Sequence, residues 1–211
     1  MANIDIRIAD ADEFIVYPGC EEITLPEYAA SLERYGYDAA CLYMVDMYPD
    51  GELSNADFAG QSPFSVARFY DTPPLENWRL SKGYYSDSSH MVSSFRHRIM
   101  PYAEPTAYTS KKFALLRYRP WIKLSDGLHF VTNIVVAPEP IAFAHFKYHA
   151  GFQQKAAVEA KRKQHYKEAK EYLRYQELSA ELKGGFRKQG VSSEYIDSHQ
   201  FISSILGNCG E

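Results

Sequence analysis

The chain opens on a strict alternation of apolar and polar residues. The isoleucines at positions 4, 6 and 8 are separated by Asp5 and Arg7, the period of two that is typical of a half-buried strand. We predict a strand over residues 4–9. This strand runs into three acidic residues, which an apolar stretch at 14–17 follows: Asp10, Asp12 and Glu13.

The pattern then changes to the period of a helix. Leu25, Tyr28, Ala29 and Leu32 fall at positions i, i+3, i+4 and i+7, as expected for an amphipathic helix. A capping box over residues 24–27 begins this helix, and a glycine at position 36 ends it. Residues 38–46 form a short, nearly continuous apolar run, which predicts a buried strand. A strand–helix–strand unit of this kind is typical of α/β folds.

Residues 47–110 contain many prolines, glycines and serines, so we predict an irregular segment. The segment is also rich in aromatic residues. Flat rings of this kind stack on sugar faces, which favours carbohydrate recognition. Equally, the rings can pin an irregular segment to the core. The aromatic residues concerned are Phe58, Phe64, Phe69, Tyr70, Trp78, Tyr84, Tyr85 and Phe95.

The second half of the chain returns to regular patterns. Apolar runs at 113–118, 128–136 and 141–147 predict three strands that extend the sheet in an antiparallel or mixed manner. A long helix is predicted over 152–183, where Ala, Glu, Lys and Gln dominate before two glycines. We therefore expect one α/β domain over residues 1–185 and a polar tail over residues 186–211.

Composition narrows the class of protein. A chain of 211 residues with 45% hydrophobic residues is long enough for one domain with a sizeable core. A membrane span is not expected because no window approaches 18 apolar residues. The start lacks a signal-peptide pattern, and the three cysteines have unrelated spacings, so we expect a cytoplasmic protein. Nucleic-acid binding is not supported at a sequence pI near 6.0.

Charge is unevenly distributed along the chain. The first half carries an excess of acidic residues and the second half an excess of basic residues, within a net charge of −4. This division suits a site for a metal–diphosphate, where acids hold the cation and bases meet the phosphates. It equally suits two faces of one domain that attract each other.

The acidic residues after the first strand are candidate metal ligands. Residues two apart in an extended segment point the same way, so Asp10 and Asp12 can share one side of the chain. Paired carboxylates suit Mg²⁺ or Mn²⁺, which bind through one or two carboxylates together with substrate phosphates. The alternative is a solvated acidic loop at the end of a strand.

Seven segments in order along the chain together resemble family 2-type glycosyltransferases, in the branch related to family 92. They are DADEFIVYPGCE from Asp10, DMYPDG from Asp46, ARFYD from Ala67, SFRHR from Ser94, KKFALLRYRP from Lys111, GLHF from Gly127 and AHFKYHAGFQQKA from Ala144. The resemblance covers residues 5–175. It implies the mixed α/β sheet of a GT-A-like enzyme that transfers a sugar from a nucleotide-sugar donor to a saccharide or lipid-linked acceptor.

The resemblance also implies roles for individual residues. It assigns Asp10 and Asp12 to the metal and to the diphosphate of the donor. His145 lies in the matched HFK segment, where its imidazole is expected to be a third ligand of Mn²⁺ or Mg²⁺. Lys147, two residues further on, is expected to meet the phosphates. The alternative for His145 is an ordinary core residue.

Other candidates rest on weaker signals. His129 lies in the matched GLHF segment, as a possible contact to acceptor or phosphate. Arg96 and Arg98 are potential bidentate donors to phosphate or to an acidic sugar, with surface ion pairs as the alternative. An inverting transfer needs a general base. We expect Asp46, whose pKa burial would raise, with Asp71 and Asp126 as alternatives.

The resembled family places its first βα units, which hold the nucleotide, before the Asp-x-Asp segment. Here that segment begins at residue 10. The sequence therefore predicts the C-terminal half of such an enzyme, which would bind a nucleoside diphosphate weakly and with little preference for the base. Two alternatives stay open: an inactive remnant that acts with a partner subunit or missing half, and a carbohydrate-binding module without metal.

Overall fold

The computed structural model of the protein describes residues 5–7, 9–72, 75–79, 89–92, 94–100, 111–125, 128–132, 134–162, 170–181 and 185–206. Statements about the structure refer to these residues.

The described residues form a mixed α/β structure. In chain order the strands are β1 (Asp5–Arg7), β2 (Glu13–Val16), β3 (Ala39–Asp46), β4 (Phe69–Asp71), β5 (Leu75–Arg79), β6 (Ser89–Val92), β7 (Lys111–Arg117), β8 (Leu124–Ser125), β9 (Phe130–Val131), β10 (Ile141–His145) and β11 (Ser192–Glu194). The helices are α1 (Leu25–Arg34), α2 (Pro63–Val66), α3 (Ser94–Ile99), α4 (Phe152–Arg162), α5 (Lys170–Glu181) and α6 (Ser198–Leu206), with a 3₁₀ turn at Leu53–Asn55.

A five-stranded sheet in the order β1-β7-β3-β10-β2 organises the fold. Strands β3 and β10 lie parallel at its centre, whereas the other neighbouring pairs are antiparallel. All five residues of β10 and most of β3 are buried. Near-continuous apolar strands are typical of a sheet that is covered on both faces. The predicted α/β class with a mixed sheet is therefore confirmed.

The first helix forms where the sequence predicts it. Helix α1 begins after Thr24, whose backbone N–H and hydroxyl both donate to the Glu27 carboxylate at 2.7 Å. Gly36, just beyond the helix, has a φ of 82°. A glycine reaches this left-handed region without steric penalty, and it therefore ends the helix. The predicted strand–helix–strand unit is present as β1, α1 and β3, with the additional strand β2 between β1 and α1.

The predicted single long helix over 152–183 is wrong. Helices α4 and α5 pack side by side, and segments of one straight helix cannot do so. Their contact is built from Phe152, Ala156 and Ala160 on α4, at intervals of four residues, and from tyrosines of α5. The helix-favouring composition of the segment gives no sign that it forms two helices rather than one.

The predicted strand over 128–136 is only partly formed, because β9 covers two residues and pairs with β8. The segment from residue 186, expected as a polar tail, supplies β11 and α6. Strand β11 pairs antiparallel with β4. From α6, Phe201, Ile202 and Ile205 are buried in the main hydrophobic core. The C-terminal residues are thus part of the packed structure.

Most of the described aromatic residues of the irregular segment serve packing. Phe58, Phe64 and Tyr70 pack in or against the core cluster around β3 and β10. Phe69 and Phe95 belong to a second cluster with α4 and α5. The rings at Trp78, Tyr84 and Tyr85 lie outside the side chains that the structure describes. No helix within the described ranges is long and apolar enough to cross a membrane.

Candidate functional site

The candidate site lies where the two parallel central strands end. Asp46 and His145 are the last residues of β3 and β10 and are partners in the parallel register. On the other side of β10, His145 is paired with Glu13 at the start of β2. The backbone of the acidic turn is held here, because Phe146 N–H donates to the Asp12 carbonyl at 2.8 Å. Ligands of α/β proteins bind at this end of parallel strands.

Asp12 and His145 approach each other as the sequence predicted. His145 Nε2 lies 3.7 Å from Asp12 Oδ2. Lys155, on the first turns of α4, places its Nζ 3.8 Å from the same carboxylate oxygen, and its side chain is half exposed. An imidazole, a carboxylate and an ammonium group therefore meet at one point of the sheet edge.

A buried ion pair lies directly behind His145. Arg96 Nε donates to Asp46 Oδ2 at 2.8 Å, and Arg96 Nη2 donates to Asp46 Oδ1 at 2.9 Å. His145 Nδ1 lies 2.7 Å from the same Oδ1. The Asp46 side chain is fully enclosed. This bidentate geometry is the strong form of an arginine–carboxylate contact.

The expectation that burial raises the pKa of Asp46 is wrong in direction. Burial alone would raise it, but the Arg96 guanidinium and the hydrogen bond with His145 outweigh burial and hold the pKa of Asp46 well below its usual range. A carboxylate stabilised in this way is a poor proton acceptor at neutral pH. The packing therefore disfavours Asp46 as the general base.

Asp71, an alternative base, is engaged in a similar way. Arg98 Nε donates to Asp71 Oδ2 at 2.6 Å and Arg98 Nη2 to Oδ1 at 3.1 Å, while the Tyr48 hydroxyl also donates to Oδ1. Arg98 further donates to the Phe186 carbonyl at 2.9 Å. Arg96 and Arg98, predicted as donors to phosphate or to an acidic sugar, thus each form a bidentate pair with an aspartate in this structure. They link β3, β4 and the C-terminal segment to α3.

Lys147 does not face the acidic turn as expected from the sequence. Its Nζ donates to the Tyr175 hydroxyl at 3.3 Å and lies 4.5 Å and 5.0 Å from the ring centroids of Tyr175 and Tyr172. Strand β10 ends at His145, so the side-to-side alternation that placed Lys147 beside His145 stops there. Aromatic rings stabilise a buried ammonium group through cation–π contacts.

The remaining predicted residues lie further out. The Asp10 side chain is 76% exposed, and its carboxylate is 3.8 Å from Lys112 Nζ, which also pairs with the buried Glu13. The Nδ1 atom of His129 is hydrogen-bonded to the backbone carbonyl oxygen of Lys111. Asp126 lies outside the described residues.

The donor set fits a divalent metal in part. Within the described ranges, no group of three or more His, Cys, Asp or Glu residues is arranged to hold a metal. The pair of Asp12 and His145 has the ligand chemistry of Mn²⁺. Adjacent donors at about 2.1 Å from an octahedral ion lie about 3.0 Å apart, so the observed 3.7 Å requires only a small approach.

Sequence reasoning missed Lys155. Its ammonium lies 3.8 Å from the Asp12 carboxylate at the end of the central strands, and after burial its charge contributes to the lowered pKa of His149. The signal was present in the matched AHFKYHAGFQQKA segment. The second lysine of this segment, Lys155, lies one helical turn after Gly151, in the first turn of α4.

A scan of protein-family models found none that matches the chain, and searches of curated proteins and of solved structures likewise found no match.

Proposed function

We propose that the protein takes part in metal-dependent glycosyl transfer, with the sugar supplied by a nucleotide-sugar donor and passed to a saccharide or lipid-linked acceptor. The observation that carries the proposal is the 3.7 Å approach of Asp12 and His145 at the ends of β3 and β10. The ordered resemblance to family 2-type glycosyltransferases supports it. In this proposal the mixed sheet is that of a GT-A-like fold.

Each residue of the site then has a defined task. Asp12 and His145 would hold Mn²⁺ or Mg²⁺, with Asp10 at the mouth of the site. A metal ion bound there neutralises the charge that develops on a diphosphate leaving group. Lys155 would bind a phosphate oxygen, because its ammonium group is half exposed and lies beside Asp12. A phosphate could therefore reach this ammonium group without first burying it.

The two arginines of α3 serve this site indirectly. Arg96 neutralises Asp46 behind His145, and Arg98 neutralises Asp71 at the end of β4. A buried carboxylate without such a partner would be expensive. The arginine pairs therefore fix the ends of β3 and β4 and leave the exposed charges at the turn for a ligand.

The test is release of nucleoside diphosphate from UDP-, GDP- and CDP-sugars, measured with Mn²⁺ and with EDTA. We expect Mn²⁺-dependent release with at least one donor. Asp12→Asn should abolish release, and Lys155→Met should reduce it, whereas Lys188→Met, which removes an exposed lysine elsewhere, should not. Release that persists in EDTA or in Asp12→Asn would contradict the proposal.

A second candidate function is a carbohydrate-binding or partner module without catalysis. The observation that favours it is the exposure of two aromatic residues that are three positions apart in the sequence, Trp121 (64%) and Tyr118 (39%). Exposed rings of this kind can stack on sugars. Binding of acceptor glycans that Trp121→Ala abolishes, without nucleotide release from any donor, would select this alternative over the enzyme.

A further inference from the structure

The environment of His145 fixes which of its ring nitrogens carries the proton. Its Nδ1 lies 2.7 Å from Asp46 Oδ1 and 3.2 Å from Arg96 Nη2. Arginine only donates hydrogen bonds, and a carboxylate only accepts them. One nitrogen cannot both accept from Arg96 and donate to Asp46, so the two contacts demand opposite tautomers.

The carboxylate contact is the one that decides. Asp46 is ionised, because two hydrogen bonds from Arg96 hold it in that state. A bare Nδ1 at 2.7 Å would place its lone pair against a carboxylate oxygen, whereas an Nδ1–H at this distance makes a charge-assisted hydrogen bond. The Arg96 contact is longer, and Arg96 Nη2 already donates to Asp46. The proton therefore belongs on Nδ1.

We propose that Asp46, locked by Arg96, is a positioning residue that keeps His145 in the Nδ1–H form and directs the lone pair of Nε2 toward Asp12. The inference deepens the proposed function and rests on it for the identity of the ligand, a divalent cation. Histidine ligands of metals commonly donate their other N–H to a carboxylate, which fixes the tautomer and orients the ring. The contacts then run from Arg96 to Asp46, from Asp46 to His145, and from His145 to a cation that Asp12 binds from the other side.

This placement of the proton leaves one contact that requires a positive charge. In the neutral ring with its proton on Nδ1, the lone pair of Nε2 faces the Asp12 carboxylate at 3.7 Å. Two electron-rich groups at this distance need a positive charge between or beside them. Lys155 supplies one, 3.8 Å from the same oxygen. A divalent cation would supply more charge and would be held from both sides.

The experiment is ¹⁵N NMR of the histidine side chains at pH 8, with the His145 signals assigned by their loss in His145→Gln. The wild type without metal should show a protonated Nδ1 and an unprotonated Nε2. Asp46→Asn should convert His145 to the Nε2–H form. Arg96 would donate to the new amide oxygen, so the amide NH₂ would face Nδ1 and donate to it. The same variant should weaken Mn²⁺ binding by about 10–100-fold.

Asp71→Asn is the matched control, since it breaks the second buried arginine–aspartate pair. It should leave the tautomer of His145 unchanged. If Asp46→Asn does not fold, the wild-type spectrum decides alone. An Nε2–H form in the wild type, or a tautomer that Asp46→Asn does not alter, would overturn the positioning role. A correct tautomer without Mn²⁺ binding would instead overturn the proposed function and leave the positioning of His145 intact.

Discussion

Loss of the Arg96 charge should destabilise the fold more than loss of any surface arginine. Arg96→Met keeps an unbranched apolar stem but leaves Asp46 as a buried carboxylate without its main cation. Breaking a buried pair by removing one partner typically costs about 3–5 kcal/mol. For a domain of this size each kcal/mol lowers the melting temperature by about 2–4 °C, so we expect a fall of roughly 6–20 °C at pH 7.

The pH dependence of this loss has a defined sign. In the wild type the pKa of Asp46 is lowered by folding. Its stabilising contribution is therefore complete above the unfolded pKa of about 3.9 and is lost only as the pH falls through the folded value. In Arg96→Met burial dominates and raises the pKa, so protonation at lower pH relieves the penalty. The stability gap between wild type and variant should narrow between pH 7 and pH 5.

Thermal and urea denaturation followed by circular dichroism at both pH values measure this effect. Arg68→Met is the matched control, because Arg68 pairs with Glu194 at the surface with both side chains about half exposed. Exposed pairs contribute about 0–1 kcal/mol. Equal losses in the two variants, or a gap that widens toward pH 5, would refute the account of Asp46.

Two further predictions concern packing. Gly185 has a φ of 88°, and an added Cβ would lie 2.0 Å from the Gly51 carbonyl oxygen, so Gly185→Ala should lower the free energy of unfolding by more than about 1 kcal/mol. The control Gly190→Ala, where φ is 76° and the added Cβ meets open space, should show only the backbone cost. Equal denaturation midpoints for the two variants would contradict this. Tyr175→Phe removes the hydroxyl that contacts Lys147 and Tyr148, so we expect a loss of about 1–3 kcal/mol in urea, and an unchanged midpoint would show that these buried contacts contribute nothing.

Local sequence patterns are sufficient to predict those helices and strands whose tertiary packing does not override them. Helix α1 follows from its capping box and helical period, and β3 and β10 follow from apolar runs of strand length. The division into α4 and α5 does not follow, because the composition favours helix throughout, whereas α5 is positioned by tertiary contacts such as those of Tyr175 with Tyr148 and Phe152. Likewise, α6 is anchored by burial of three apolar residues that a polar sequence context conceals.

At the site, spacing predicts which residues come near but not what they contact. Asp12 and His145 are brought together as expected. Strand alternation failed for Lys147, because β10 ends first. The partners of Asp46 and Asp71 lie on α3, far away in sequence, and no periodicity reveals which arginine reaches which carboxylate. That pairing reversed the expected pKa shift of Asp46.

Mn²⁺ titration followed by thermal denaturation tests whether Asp12 and His145 hold one divalent cation, as we propose. Mass action at 100 times Kd contributes about 2.7 kcal/mol, so the wild type should melt roughly 5–11 °C higher with saturating Mn²⁺. Asp12→Ala and His145→Ala should lose this shift, whereas Asp50→Ala, which removes an exposed acid paired with Arg187, should keep it. An equal shift in Asp12→Ala would show that the ion binds elsewhere and would contradict the account.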